Sequence, residues 1–170
     1  MDNYKFETLT VDDSRFIDFR KLVSEVEVDD TYRYWFSDEK INKMDFINID
    51  VCLNKEEHII GVCGCSKMDS ETIRVSQLLY VLPDYRKEVR HLLIADGGFF
   101  DRQHATAKKY GFKKMFVALH SFNKETGIVA KVYKTRRHQY RWLRKFDYVG
   151  QRTVRYVLQH CYEYKINYNE

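Results

Sequence analysis

Proline is almost missing from this chain: its 170 residues contain one, Pro83. Glycine is scarce too, with seven. Flexible linkers and low-complexity tracts are made largely from these residues, so both are excluded, and a single domain over 1–170 is expected. No apolar run approaches the ~20 residues that cross a bilayer, so no membrane span is expected. The opening MDNYKFETLT has neither the basic n-region nor the apolar h-region of a secretory signal. Four cysteines, Cys52, Cys63, Cys65 and Cys161, are spaced for neither a zinc knuckle nor a redox motif. They are expected to be buried free thiols, which places the protein in a reducing cytoplasm. The six histidines show no His-x-x-x-His spacing, so no metal is expected. Walker loops, Gly-x-Ser-x-Gly and kinase signatures are likewise missing.

What is present is aromatic and charged. Thirteen tyrosines and eleven phenylalanines supply large rings for a core, and 44% apolar with 32% charged residues fits a globular body. The charge is segregated. Residues 1–101 hold 13 Lys and Arg against 21 Asp and Glu, a net of −8, while residues 102–156 hold 15 against 2, a net of +13. Such a split suits an acidic protein partner, self-association or a phosphate-bearing ligand, and equally a solvated basic face beside acidic neighbours.

The hydrophobic pattern reads as an α/β (α+β) order of elements. Lys5–Thr10 is a strand, and Asp12 or Asp13 caps a helix carrying Phe16, Phe19, Val23 and Val26. Asp29–Met44 is a second helical region. Asn48–Leu53 and Ile59–Met68 form a hairpin across Asn54-Lys55-Glu56-Glu57, and Thr72–Val81 is a further strand. A long helix is expected from Tyr85 to about Tyr110, weakened at Gly97-Gly98 and ended by Gly111. Lys114–His120, Tyr148–Leu158 and Cys161–Ile166 read as strands, with a basic helix over Thr135–Phe146. Asp84 and Glu88, near the start of the long helix, fit a general-base pair or simple N-terminal capping.

The stretch Leu78–Ile94, LLYVLPDYRKEVRHLLI, runs a strand into Pro-Asp-Tyr-Arg and then a helix. This resembles the cofactor region of the GNAT superfamily of acyl-CoA N-acetyltransferases, and the order of elements is similar over nearly the whole chain. The resemblance implies a mixed central sheet of six to seven strands flanked by about four helices. It implies an acetyl-CoA cofactor, with the backbone of Leu79 and Val81 pairing with the pantetheine arm. Arg86, Lys87, Val89 and Arg90 would face the pyrophosphate, and Asn123 would lie near the cofactor. The chain departs from the family where Gly-x-Gly should follow the arginine: Lys87, Glu88, Val89, Arg90 and His91 stand there instead. A β-branched valine suits neither positive φ nor close backbone approach. Side-chain charge from Lys87 and Arg90 would have to replace the backbone cradle.

A second landmark departs as well. LRKFDYVGQR occupies the place of the family's Tyr-x-x-x-Gly-Phe pattern, so Leu143 falls where a tyrosine would protonate the leaving thiolate. Tyr140 and Tyr133 are the substitutes. The segment KTRRHQYRWLRK, Lys134–Lys145, interleaves cations with Tyr140 and Trp142, a pattern suited to phosphate contacts with base stacking or to an acidic protein surface. Small size and degenerate motifs are similar to GNAT-like proteins of tailed bacteriophages, including internal-core proteins of short-tailed phages. Two functions follow from the resemblance: an acetyl-CoA N-acyltransferase acting on an amine acceptor, or a lapsed fold serving as a binding or virion-assembly component through its basic C-terminal half. The corresponding locations are the host cytoplasm and the virion.

Overall fold

The structure, a computed structural model, describes residues 4–89, 91–120, 137–154 and 156–170. Its contacts gather into two compact units, Met1–Lys67 with Ser76–Gln103, and Met68–Val75 with His104–Glu170.

In the N-terminal unit, β1 (Lys5–Leu9) lies antiparallel to β2 (Phe46–Leu53), and β2 to β3 (Ile59–Lys67). The polar turn between β2 and β3 closes on Asn54, whose Oδ1 accepts from the backbone N–H of Glu56 and of His58. Helix α1 (Ser14–Val26) starts where Asp13 accepts from the N–H of Arg15, and it buries Phe16, Phe19 and Val23 at helical spacing. Val26 stays exposed. The helical region expected over Asp29–Met44 is broken in two, α2 (Asp30–Trp35) and α3 (Asp38–Met44). The break has a local cause: Ser37 stops one helix and caps the next, accepting from the N–H of Lys40 at 3.3 Å. Phe16, Phe19, Phe36, Ile49, Val51, Leu53, Leu78 and Tyr80 form the core. Phe19, Tyr32 and Phe36 meet the Tyr80 ring edge-on.

In the C-terminal unit, Thr72–Arg74 of β4 (Thr72–Val81) pair in parallel with Lys114–Phe116 of β5 (Lys114–His120). β5 is antiparallel to β7 (Val157–Lys165), and β7 to β6 (Asp147–Val154). The complete strand order is β1-β2-β3-β4-β5-β7-β6, a seven-stranded mixed sheet. β6 and β7 meet at the Val154–Val157 pair, so the chain reverses before Val157 rather than near 159, and Tyr156 takes φ +68° while almost wholly exposed. Neither Gly, Asn nor Asp marks that turn, so nothing in the residue types announces it.

Helix α4 (Phe99–Lys109) is shorter than expected, because residues 86–88 and 92–98 form turns and bends. Gly111, at φ +75°, ends it as its position in the sequence indicates, and Phe112 N–H returns to Ala107 O. The basic helix is α5 (Arg141–Lys145), preceded by a 3-10 turn over Arg137–Gln139; residues 135 and 136 lie outside the described residues. Trp142, Leu143 and Phe146 are buried, and Trp142 packs against His104 and Tyr164. All four cysteines are free and buried. No helix among the described residues is long and apolar enough to cross a membrane.

Candidate functional site

The strand that leads into Pro83 is distorted before it gets there. Ser76 and Leu78 take φ of +58° and +54°, rare for residues with a side chain and costly inside a strand. A buried glutamine holds the kink: Gln103 Oε1 accepts from Ser76 N–H at 2.9 Å, and its Nε2 donates to Gly64 O at 3.2 Å. Leu79 and Val81 follow, both part-exposed. Leu82 N–H returns to Ile60 O at 2.9 Å, and Pro83–Tyr85 form one 3-10 turn. Proline at its first position has no N–H to leave unsatisfied.

Arg86 does not project from this turn. Its Nε donates to Val81 O at 2.9 Å and its Nη2 to Glu27 Oε2 at 2.8 Å. The guanidinium lies over Tyr32 and Tyr80, 5.5 and 5.3 Å from the ring centroids. Tyr80 OH donates to the same Glu27 oxygen at 2.7 Å. Burial would raise the Glu27 carboxyl, yet the hydrogen bonds from Tyr80 and Arg86 hold it below the ordinary range. Burial and the Glu27 bond push the Tyr80 phenol well up. Arg86 therefore ties the end of β4 to the end of α1. Lys87 is exposed, Glu88 accepts from Tyr4 OH at 3.1 Å, and Val89 is buried with its N–H on Tyr85 O.

The start of α4 is closed by its own loop. Gly98 N–H donates to Ala95 O, Phe99 N–H to Leu92 O and Phe100 N–H to Leu93 O, at 2.9 to 3.0 Å. Gly97 N–H donates to Asp101 Oδ2 at 2.5 Å, a side-chain cap from within the first turn. A Cβ on Gly98 would stand 2.3 Å from Leu92 O, so glycine is required there for the loop to reach the helix. The N–H groups of Gly97, Gly98, Phe99 and Phe100 are thus already satisfied within the chain. With those N–H groups engaged, residues 97–100 offer no open backbone cradle for a phosphate, and the Gly-Gly pair serves the closure of the loop.

In the C-terminal unit, Tyr140 is the N-cap residue of α5, and its carbonyl accepts from Arg144 N–H at 3.2 Å. Leu143, at the position of the resemblance's tyrosine, is fully buried. Tyr133, Asn123 and Arg90 lie outside the described residues. Three cations of the basic segment meet acids from elsewhere in the unit: Lys113 pairs with Glu71, Lys114 with Glu163 at 3.7 Å and Lys145 with Glu170 at 2.5 Å.

One polar centre was not anticipated. Asp50 on β2 is fully buried; its Oδ1 accepts from Thr8 Oγ1 at 2.6 Å and lies 3.5 Å from Arg102 Nε. Its Oδ2 has no hydrogen-bond partner among the described residues. Burial pushes the carboxyl up to about 6. A carboxylate between Ile49 and Val51, in an apolar strand, was the available signal. Period-two alternation sends it to the face opposite the aromatic core. Burial also raises the thiols of Cys52 and Cys65 to about 12, so neither is a thiolate nucleophile at neutral pH. Among the described residues no His, Cys, Asp and Glu group could hold a metal.

No family model matches the chain, and no curated protein sequence does. Solved structures match over nearly the full length. An N-acetyltransferase from Staphylococcus aureus Mu50 is 15% identical, with a TM-score of 0.62, covering 95% of this chain and 97% of its own. A GNAT family acetyltransferase from Elizabethkingia anophelis, with acetyl-CoA bound, is 14% identical, with a TM-score of 0.58, covering 98% and 100%. An acetyltransferase from Streptococcus agalactiae 2603 is 10% identical, with a TM-score of 0.55, covering 98% and 100%. The mixed seven-stranded sheet with its flanking helices is the GNAT fold.

Proposed function

We propose that this chain is an N-acyltransferase that passes an acetyl group from acetyl-CoA to an amine acceptor. The observation carrying this reading is β4, a strand kinked at two non-glycine residues that delivers Leu79–Val81 into the Pro83 turn, within a fold shared with acetyltransferases. In the reaction the amine nitrogen forms a C–N bond to the thioester carbonyl carbon and the C–S bond breaks. The amine's proton ends on sulfur, leaving an amide and a free thiol. Backbone N–H groups of Leu79–Val81 are assigned to the pantetheine arm and the carbonyl, and Tyr140 or Tyr133 to the proton on sulfur. Lys87 and Arg90 are assigned to meet the pyrophosphate by side-chain charge, with Val89 between them in the chain and Asn123 assigned to the cofactor's surroundings. Arg86 serves by holding the Val81 carbonyl.

The satisfied N–H groups of residues 97–100 favour a second reading, a lapsed fold that acts as a binding or virion-assembly component through residues 102–156. Its sequence resemblance puts it with tailed bacteriophages, in the host cytoplasm or the virion. Calorimetric titration with acetyl-CoA separates the two. Saturable binding in the micromolar range supports the enzyme, whereas no heat and no thermal shift at ~1 mM acetyl-CoA overturns it. Co-sedimentation with phage particles by a protein that ignores acetyl-CoA is the result expected of the second reading.

A further inference from the structure

In the C-terminal unit, the sheet face opposite Tyr164 carries two arginines around one phenylalanine. Register sets Arg74 of β4 directly across from Phe116 of β5, and Arg152 of β6 across from Gln159 of β7. Paired residues share a face, so all four side chains stand on the same side. Between these two rows lie Ala118, Cys161 and Gly150, cross-strand neighbours with little or no side chain. Arg152 reaches back across that row: its Cζ is 5.1 Å from the Phe116 ring centroid, while its Nε donates to Gln159 Oε1 at 2.8 Å. Gln159, only 3% exposed, fixes that pose.

Neither guanidinium meets a carboxylate among the described residues, and Arg74 has no hydrogen-bond partner there. The acids on this face are engaged or peripheral. Glu163 Oε2 lies 3.7 Å from Lys114 Nζ, and Asp147 is exposed at the start of the edge strand. Burial and the neighbouring Arg152 hold Arg74 below the usual guanidinium range, although a guanidinium stays charged at neutral pH. Two like charges on one face, one of them desolvated, are unfavourable until a counter-charge arrives.

We propose that Arg74 and Arg152 form a binding site for a small oxyanion, a phosphate or a carboxylate, seated over the Ala118–Cys161–Gly150 row. Each planar fork presents paired N–H donors that match two oxygens of such a group. The site uses none of the residues assigned to acyl transfer.

Thermal unfolding of the full chain tests this at constant ionic strength, with chloride replaced by inorganic phosphate in one arm and by acetate in another. The midpoint should rise saturably by ~3 °C in at least one arm, and the arm with the lower half-saturation identifies the oxyanion. Arg74→Gln and Arg152→Gln should each abolish the rise, and Lys109→Gln, a surface cation on α4, should keep it. In the unsubstituted protein, the Arg74 and Arg152 Nε–Hε NMR signals should shift with the same half-saturation, which keeps the test valid if a variant fails to fold. A linear effect common to all variants, no effect in either arm, or unmoved Arg74 signals overturns the site.

Discussion

Arg86 in the N-terminal unit and Arg74 in the C-terminal unit are both part-buried guanidinium groups, one just after β4 and one near its start. Their surroundings are opposite. Arg86 has a carboxylate at 2.8 Å, a carbonyl at 2.9 Å and two tyrosine faces. Arg74 has a phenylalanine beside it and a second arginine near it. The arginine that sequence reasoning assigned to a ligand is engaged by the fold, whereas the one it passed over is held without a counter-ion among the described residues. A cation's position in a motif does not say whether its charge is free; its neighbours across the fold do.

The comparison can be broken most forcefully at Arg86. Arg86→Ala leaves the buried Glu27 carboxylate without its guanidinium and should cost about 3 kcal/mol in urea unfolding. A cost below the error of the measurement would mean that the clamp is not structural. Gly98→Ala, which forces a Cβ against Leu92 O, should cost about 2 kcal/mol and expose the amides of residues 97–100 to faster hydrogen exchange. If exchange there is unchanged, the loop is not what closes the start of α4.

Asp50 supplies a smaller effect of opposite sign. Its folded carboxyl, near 6, lies above the ordinary 3.8, so the folded state holds the proton more tightly. Its contribution is fully present below about pH 4 and is lost as pH rises through about 6, so stability falls across that window. Thr8, Arg102, Cys63, Cys65 and Gln103 are the polar and titratable groups that face it. Asp50→Asn should flatten this slope and gain about 1–2 kcal/mol at pH 7 in denaturant titrations run from pH 4 to 7. A slope that survives the substitution would assign it to another group. Smallest of all is Arg74→Met, which should change stability by less than about 1 kcal/mol, and in the favourable direction, because no partner among the described residues is lost. A loss comparable to that of Arg86→Ala would erase the contrast between the two arginines.

Much of the fold was legible. Asp13 before Phe16, Phe19 and Val23 announced α1, and Asn54 between two apolar runs announced the β2–β3 turn. Thr72–Val81 and Lys114–His120 could be read to the residue. The errors fell where a local signal was weak or a distant one prevailed. Leu92, Leu93 and Ile94 continue a helical apolar period, but each is buried in a turn that folds back on α4. Tyr156 takes a left-handed turn for which no glycine is provided.

The sequence by itself determined the order of elements, the apolar faces and the free buried cysteines, because periodicity, caps and composition act over a few residues. Only the tertiary structure decided where charge is spent. Glu27 and Arg86 are 59 residues apart, as Thr8 and Arg102 are 94. Ion pairs and desolvation depend on distance in space, which neighbouring residues in the chain do not encode.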